Sequence, residues 1–421
     1  MSDDYSSEQI QDLLTFLEHS PTASHACQYL QEQLVQMNFI RLSEGERWDL
    51  QNGGRYFVVR PPSALIAFQF SGKLTPGTGA RIVVTHLDSP ALKLKPQGFR
   101  KNAGLSLVPV EVYGGPILST WLDRPLGIAG VLPSQNESGY TCVKLPKAAV
   151  IPNAAIHLNR SINEKGATYN PQTELNAIVG DDALDSLAEL LNIAPDILQD
   201  AELYLYDDTP ATLLGTGKQR LLQGSRLDNL LSAYAAWQAL HCTGIPLTVA
   251  YFADHEEIGS TTRQGANSNF LDTVLHRIQL CVHGTEEDYH ISLAKSQMLS
   301  ADAAHGTHPN YPQFCEPSTS PELFRGVAFK KNSQGRYATD ANMLSSFRQA
   351  MRKANIPFQD FTNRADMPCG STVGPRLSAQ LGIPTIDLGV PMLAMHSIRE
   401  TATVTDTLAL LDTCNLFWNL E

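Results

Sequence analysis

Residues 251–260 read YFADHEEIGS, an unbroken run of Asp254, His255, Glu256 and Glu257 after a string of apolar residues. Adjacent carboxylates repel one another wherever the chain excludes water, so something must offset their charge. A helical H-E-x-x-H zinc motif needs a second histidine where Gly259 stands, and that reading fails. A glycosidase pair must flank one bond at about 5–9 Å, which neighbouring residues are poorly placed to do. Adjacent glutamates at a turn can instead divide the work: one ligates a metal while the other takes a proton from the water that the metal activates.

Four further stretches isolate an acid or an imidazole among small residues. THLDSP puts His86 and Asp88 two apart, on one face of an extended segment, where the carboxylate can orient a metal-ligating imidazole. SRLDNL places Asp228 at a helix start, SADAAHGTHPNY offers Asp302, His305 and His308, and PMLAMHSIRE places His396 beyond a strand and its turn. Each stretch also has a plainer reading as a capped turn or a solvated loop. Together they supply two imidazoles (His86, His396) and three carboxylates (Asp228, Glu257, Asp302). That set suits two divalent cations about 3.5–4 Å apart with one carboxylate bridging. Zinc fits mixed nitrogen and oxygen donors; cobalt or manganese can substitute. GTGKQR lacks the spacing of a phosphate loop, PCGSTVG lacks G-x-S-x-G around Ser371, and no G-x-G-x-x-G occurs.

Residues at the carboxyl ends of strands are where open α/β sheets bind ligands. RYFVVR, ALIAFQF, RIVVTH, LTVAYFAD, IQLCVH and PTIDLGV read as strands. Residues 8–19 and 22–37, RLDNLLSAYAAWQALH, ATDANMLSSFRQAMRKA and TVTDTLALLDTCNLFWNL read as helices. The alternation predicts an α/β fold with a central mixed, mostly parallel sheet flanked by helices. Between 92 and 215 the segments LKLKP, LSLVPVEVYGG, GIAGVLP and YTCVKLP are short, alternating and punctuated by Gly and Pro, which predicts an inserted β-rich domain with one helix at 181–199. The expected division is a discontinuous domain of residues 1–91 and 216–421 around an insertion of 92–215.

With 43% hydrophobic residues, the 421-residue chain can bury a substantial core. Its net charge of -12 and lack of a basic stripe argue against nucleic acid or anionic membranes as partners. MSDDYSSEQIQDLL has neither the basic start nor the apolar stretch of a signal peptide, and no apolar run is long enough to span a bilayer. The seven cysteines are scattered without C-x-x-C spacing, as expected of reduced thiols in a cytoplasmic protein.

In chain order, THLDSP, SRLDNL, DHEEIGS, SADAAHGTHPNY, KKNSQGRYATDAN and AMHSIRE resemble the motifs of the aspartyl aminopeptidases, cytosolic exopeptidases with two zinc ions per subunit. The resemblance runs from the N-terminal helices to the last one. It implies that His86 and Asp302 hold one metal, Glu257 and His396 the other, that Asp228 bridges them and that Asp88 orients His86. It implies that Glu256 is the general base, deprotonating a bridging water for attack on the first peptide carbonyl and returning the proton to the leaving amine. One metal would receive the free α-amino group, which confines cleavage to N-terminal residues of peptides. Lys330 is implied to meet an acidic substrate side chain, although neighbouring Lys331 leaves the register open by one. Tyr337 would line that pocket, His305 would stand near the metals, and His157 in AAIHLNR would reach a partner subunit's site. The β-rich insertion is implied to be a dimerisation domain, and the assembly a homo-oligomer of dimers building a dodecamer.

The implied preference is for N-terminal Asp or Glu. Here the first motif reads His-Leu-Asp where the family commonly has His-Thr-Asp, and the net charge opposes an acidic substrate at long range. Selectivity would then depend on local positive charge such as Lys330. The alternatives are the same mechanism with neutral N-terminal residues, a two-metal phosphodiesterase, and a non-catalytic shell protein. Clustered Arg at the strand ends would favour the phosphodiesterase, and loss of the base or a ligand the shell; neither is found.

Overall fold

The computed structural model describes residues 7–136, 139–180, 187–189, 191, 193–216, 219–241 and 246–420. RIVVTH is apolar nearly throughout because it lies at the centre of a sheet covered on both faces. The strand Arg81–His86 runs between Thr248–Ala253 and Gln297–Ala301, parallel to both. From edge to edge the nine-stranded sheet is ordered Ile40–Leu42, Arg55–Arg60, Ala64–Gln69, Thr248–Ala253, Arg81–His86, Gln297–Ala301, Thr385–Gly389, Val327–Lys331 and Phe358–Thr362. It is mixed, with parallel pairing predominating.

Side-chain alternation splits these strands between two cores. Val83, Ala250, Phe252 and Leu299 face the helices Ser7–His19, Ala23–Gln36, Leu227–Ala239, Ala341–Lys353 and Val404–Trp418. Ile82, Val84, Val249, Tyr251 and Met298 face Phe270–Cys281, Glu286–Lys295 and Val373–Leu381. Leu227–Ala239 is buried almost all round, so its apolar residues follow no single stripe.

IQLCVH departs from the expected strand. Its first four residues end the helix Phe270–Cys281, and Val282 and His283 form the turn beyond it; Phe270, Leu271, Val274, Leu275 and Ile278 are buried at helical spacing while Leu280 is 55% exposed. Read without its upstream turns, the tail mimics a strand. The sheet position goes to Gln297–Ala301, which delivers Asp302 at its carboxyl end. His86, Asp254 and Asp302 therefore sit at the same edge of three adjacent parallel strands.

A second, five-stranded antiparallel sheet is ordered Tyr140–Ala149, Leu126–Pro133, Glu202–Asp207, Ala91–Leu94 and Val110–Tyr113. It has its own core, built on Leu92, Trp121, Ile128, Leu203 and Leu205. Of the helix expected over 181–199, residues 181–186, 190 and 192 lie outside the described residues, and Pro195–Gln199 is helical. The strand Leu221–Gly224 pairs with both Thr212–Leu214 and Glu400–Thr403. Among the described residues no helix is long and apolar enough to cross a membrane.

Asp406 ties the last helix to the strand that carries Lys330. Its buried carboxylate accepts from Phe324 N–H and Gly326 N–H at 2.7 Å each, and from Thr403 Oγ1–H at 2.7 Å. Asp406→Ala leaves these donors unpaired in a dry site, so stability is expected to fall by about 2–4 kcal/mol. Urea unfolding with an unchanged m-value checks this.

Candidate active site

The turn after Thr248–Ala253 answers how two adjacent glutamates are accommodated. Glu256–Ile258 forms one 3-10 turn between His255 (φ 59°) and Gly259 (φ 97°), so the chain reverses sharply. Asp88 receives both backbone donors: Glu256 N–H reaches its Oδ1 and Glu257 N–H its Oδ2, each at 3.1 Å. Tyr113 donates its hydroxyl to the same Oδ2 at 2.6 Å. Asp254 braces the turn from beneath, accepting from Ser63 Oγ and, at 2.7 Å, from His255 N–H. His255 Nδ1 lies 2.8 Å from Thr262 Oγ1.

The two imidazoles are presented alike. His86 Nδ1 lies 3.0 Å from Asp88 O, and His396 Nδ1 lies 3.1 Å from Gly115 O. A carbonyl only accepts, so each Nδ1 carries a proton, and in the neutral ring each Nε2 is the nitrogen left to ligate. His86 Nε2 is 3.7 Å from Asp228 Oδ1 and 3.9 Å from Asp302 Oδ2. His396 Nε2 is 3.5 Å from Asp228 Oδ2 and 3.5 Å from Glu257 Oε2. Asp228 thus stands between the imidazoles with one oxygen toward each. It is buried at the start of Leu227–Ala239, where its own φ/ψ is not yet helical.

Electrostatics report an excess of negative charge. Burial opposes a proton on His86, yet Asp88 and the surrounding carboxylates outweigh it and raise its pKa well above the usual value. His396 is pushed up to about 10 against the same burial, by Asp228 and Glu257. Burial raises Glu256 to about 8, and burial together with Asp228 raises Glu257 well above the ordinary carboxylate range.

These features fit a metal. Asp228 Oδ1 is buried without a hydrogen-bond partner. The Nε2-to-oxygen spacings are too long for hydrogen bonds. They approach the about 3.4 Å separating two ligands of a tetrahedral zinc with bonds near 2.1 Å. Among the described residues, His86, Asp228 and Glu257 each offer a ligand atom within 4.8 Å of the others.

The two adjacent lysines differ in their surroundings, Lys330 being the buried one. It is 2% exposed, and its Nζ lies 3.2 Å from Asp302 Oδ1 and 5.3 Å from the centroid of Tyr337. Lys331 points the opposite way and pairs with Asp360. His305 lines a neighbouring cavity with His308, Tyr311, Phe361, Met392 and Met395. His157 sits on an exposed turn and shares no hydrogen bond or ion pair with the cluster among the described residues.

Three participants are not singled out by the sequence. Tyr113 comes from the second sheet to hold Asp88. Gly114 (φ 69°) follows it, and a Cβ there would come within 3.1 Å of Glu257 Cβ, so the close approach requires glycine. Glu400 accepts from Asp228 N–H at 2.9 Å and His396 N–H at 2.7 Å. Its place four residues after His396 was the one available hint.

A sequence model of the family described as "Aminopeptidase I zinc metalloprotease (M18)" matches residues 16–418. The "Probable M18 family aminopeptidase 2" of Stutzerimonas stutzeri (strain A1501) is 40% identical, covering 97% of each chain. The cryo-EM structure of the Ape4 and Nbr1 complex superposes with a TM-score of 0.92 at 37% identity, covering 98% of this chain and 85% of that one. The S. cerevisiae mApe1 dodecamer gives 0.83 at 28% identity, covering 97% and 95%. On the length and identity of these matches, the chain belongs to the M18 family of zinc aminopeptidases.

Proposed function

We propose that the cluster at the strand ends is the catalytic centre of a two-zinc aminopeptidase that prefers acidic N-terminal residues. The observation that carries this is Asp228, with one carboxylate oxygen toward each imidazole. In this reading His86 and Asp302 would hold one zinc and Glu257 and His396 the second, with Asp228 available to both. Bound there, zinc would polarise the scissile carbonyl and ease deprotonation of water.

The protein's own groups do the rest. Glu256 takes the proton from the attacking water and passes it to the leaving amine, a role open to a carboxylate placed next to Glu257 on the turn that Asp88 holds. Asp88 fixes the turn that aims Glu256 and Glu257 apart while holding the His86 tautomer. Lys330 has three N–H donors, of which Asp302 takes one, leaving capacity for a substrate carboxylate beside Tyr337. His305 borders the adjoining cavity.

Residues 1–91 and 216–421 form the catalytic domain in this proposal, and 92–215 the dimerisation insertion, with His157 serving a partner subunit. The dodecameric mApe1 supports assembly of dimers into a dodecamer. Free Cys27, Cys142, Cys281, Cys315, Cys369 and Cys414 suit the cytoplasm.

A panel of N-terminal aminoacyl reporters, run with defined zinc, tests the specificity on wild type and Lys330→Met. Wild type is expected to rank Asp above Glu above Ala and Leu. In Lys330→Met the Asp-to-Ala ratio of kcat/KM is expected to drop about 10- to 100-fold, the scale of a lost charge-assisted contact. The ratio cancels any damage transmitted through Asp302. A wild-type preference for Leu or Ala overturns the acidic assignment.

A further inference from the structure

The two imidazole-facing sides of Asp228 are useful only if Asp228 and His396 keep a fixed separation, yet the two residues belong to unrelated elements. Asp228 opens the helix Leu227–Ala239, whereas His396 lies in the loop between Pro391–Met392 and Glu400–Thr403. One buried side chain touches both. Glu400, 2% exposed, accepts Asp228 N–H on Oε2 and His396 N–H on Oε1. We infer that Glu400 is a positioning residue of the metal centre, setting the separation of Asp228 and His396 by anchoring their backbones to the two oxygens of a single carboxylate. This rests on reading Asp228 and His396 as zinc ligands.

Three physical facts make the anchor necessary at this place. A first-turn N–H of a helix has no partner within the helix, so Asp228 N–H needs an outside acceptor. His396 has φ 67°, a left-handed conformation that costs a non-glycine residue about 1–2 kcal/mol, so its backbone must be held from outside. The antiparallel register Gly224↔Glu400 lays Glu400 beside the segment leading into Asp228, which brings both donors within reach. The neighbours of Glu400 are pinned as well. Ile398 packs into the core of the second sheet, and Arg399 Nη1 holds Asp207 at 2.7 Å. The stretch HSIRE therefore has no slack through which His396 could compensate for a lost anchor.

The test uses full-length Glu400→Gln and Glu400→Asp proteins. Gln keeps one acceptor but turns an amide N–H₂ toward the second donor. Asp keeps the charge and shortens the reach by one methylene. Zinc affinity is measured on metal-stripped protein by competition with a chromophoric chelator, and thermal unfolding of the stripped proteins is recorded alongside. Both variants are expected to bind zinc about 10- to 100-fold more weakly, the usual effect of removing a group that orients a ligand. KM at saturating zinc should stay near wild type, and the stripped proteins should melt near wild type. Should Gln fail to fold, Asp alone decides. Affinity within twofold of wild type in the folded variants overturns the inference. So does wild-type affinity in Asp beside a loss in Gln, since charge rather than position would then be at work. His396→Ala is the separate control. If it retains full zinc affinity, the ligand reading fails, whatever the Glu400 variants do.

Discussion

Glu256→Gln is expected to retain zinc and fold while losing about 10²–10⁴ in kcat, the range that a well-placed general base supplies. The substitution is isosteric, and what anchors this turn is the backbone: Glu256 N–H and Glu257 N–H still donate to Asp88. Glu257 keeps its approach to His396, so the proposed ligand set is unaltered. Only the capacity to accept a proton is gone. Zinc content by elemental analysis, thermal unfolding and steady-state turnover of an Asp reporter check it together. Turnover within tenfold of wild type, with zinc in place, removes Glu256 from the role of base.

Asp228→Asn is expected to act through the metals. Each Asp228 oxygen faces one imidazole, and an amide replaces one of the two acceptors with a donor that cannot ligate a cation. Zinc content should fall by at least one ion per chain. Lewis-acid stabilisation is worth several kcal/mol, and about 1.4 kcal/mol is a factor of ten. A loss of kcat/KM of about a thousandfold or more follows, not restored by adding zinc after chelator treatment, whereas stripped wild type regains activity. Full restoration of Asp228→Asn by zinc would contradict the bridging role.

Much of this was legible in one dimension because strand ends are readable. RIVVTH and LTVAYFA are apolar runs that stop at His86 and Asp254, and a parallel sheet sends such ends to one edge. The failure at IQLCVH has the opposite cause. Six residues sample under two helical turns, and an apolar stretch that short satisfies either periodicity. Lys330 and Lys331 posed a problem of parity: alternation puts adjacent residues on opposite faces, but a sequence does not say which face is the site.

By itself, then, the sequence determined the chemical inventory: the imidazoles, the carboxylates, the adjacent glutamates and the strands that end in them, since residue type and local period are properties of the chain alone. The tertiary structure decided how that inventory is held. Asp88 could cap the Glu256–Glu257 turn, Tyr113 could cross from another sheet, and Glu400 could join two backbones only once residues far apart in the chain had been packed together. Such contacts leave no periodic trace, because a single buried carboxylate finds its partners through the register of strands and the approach of loops.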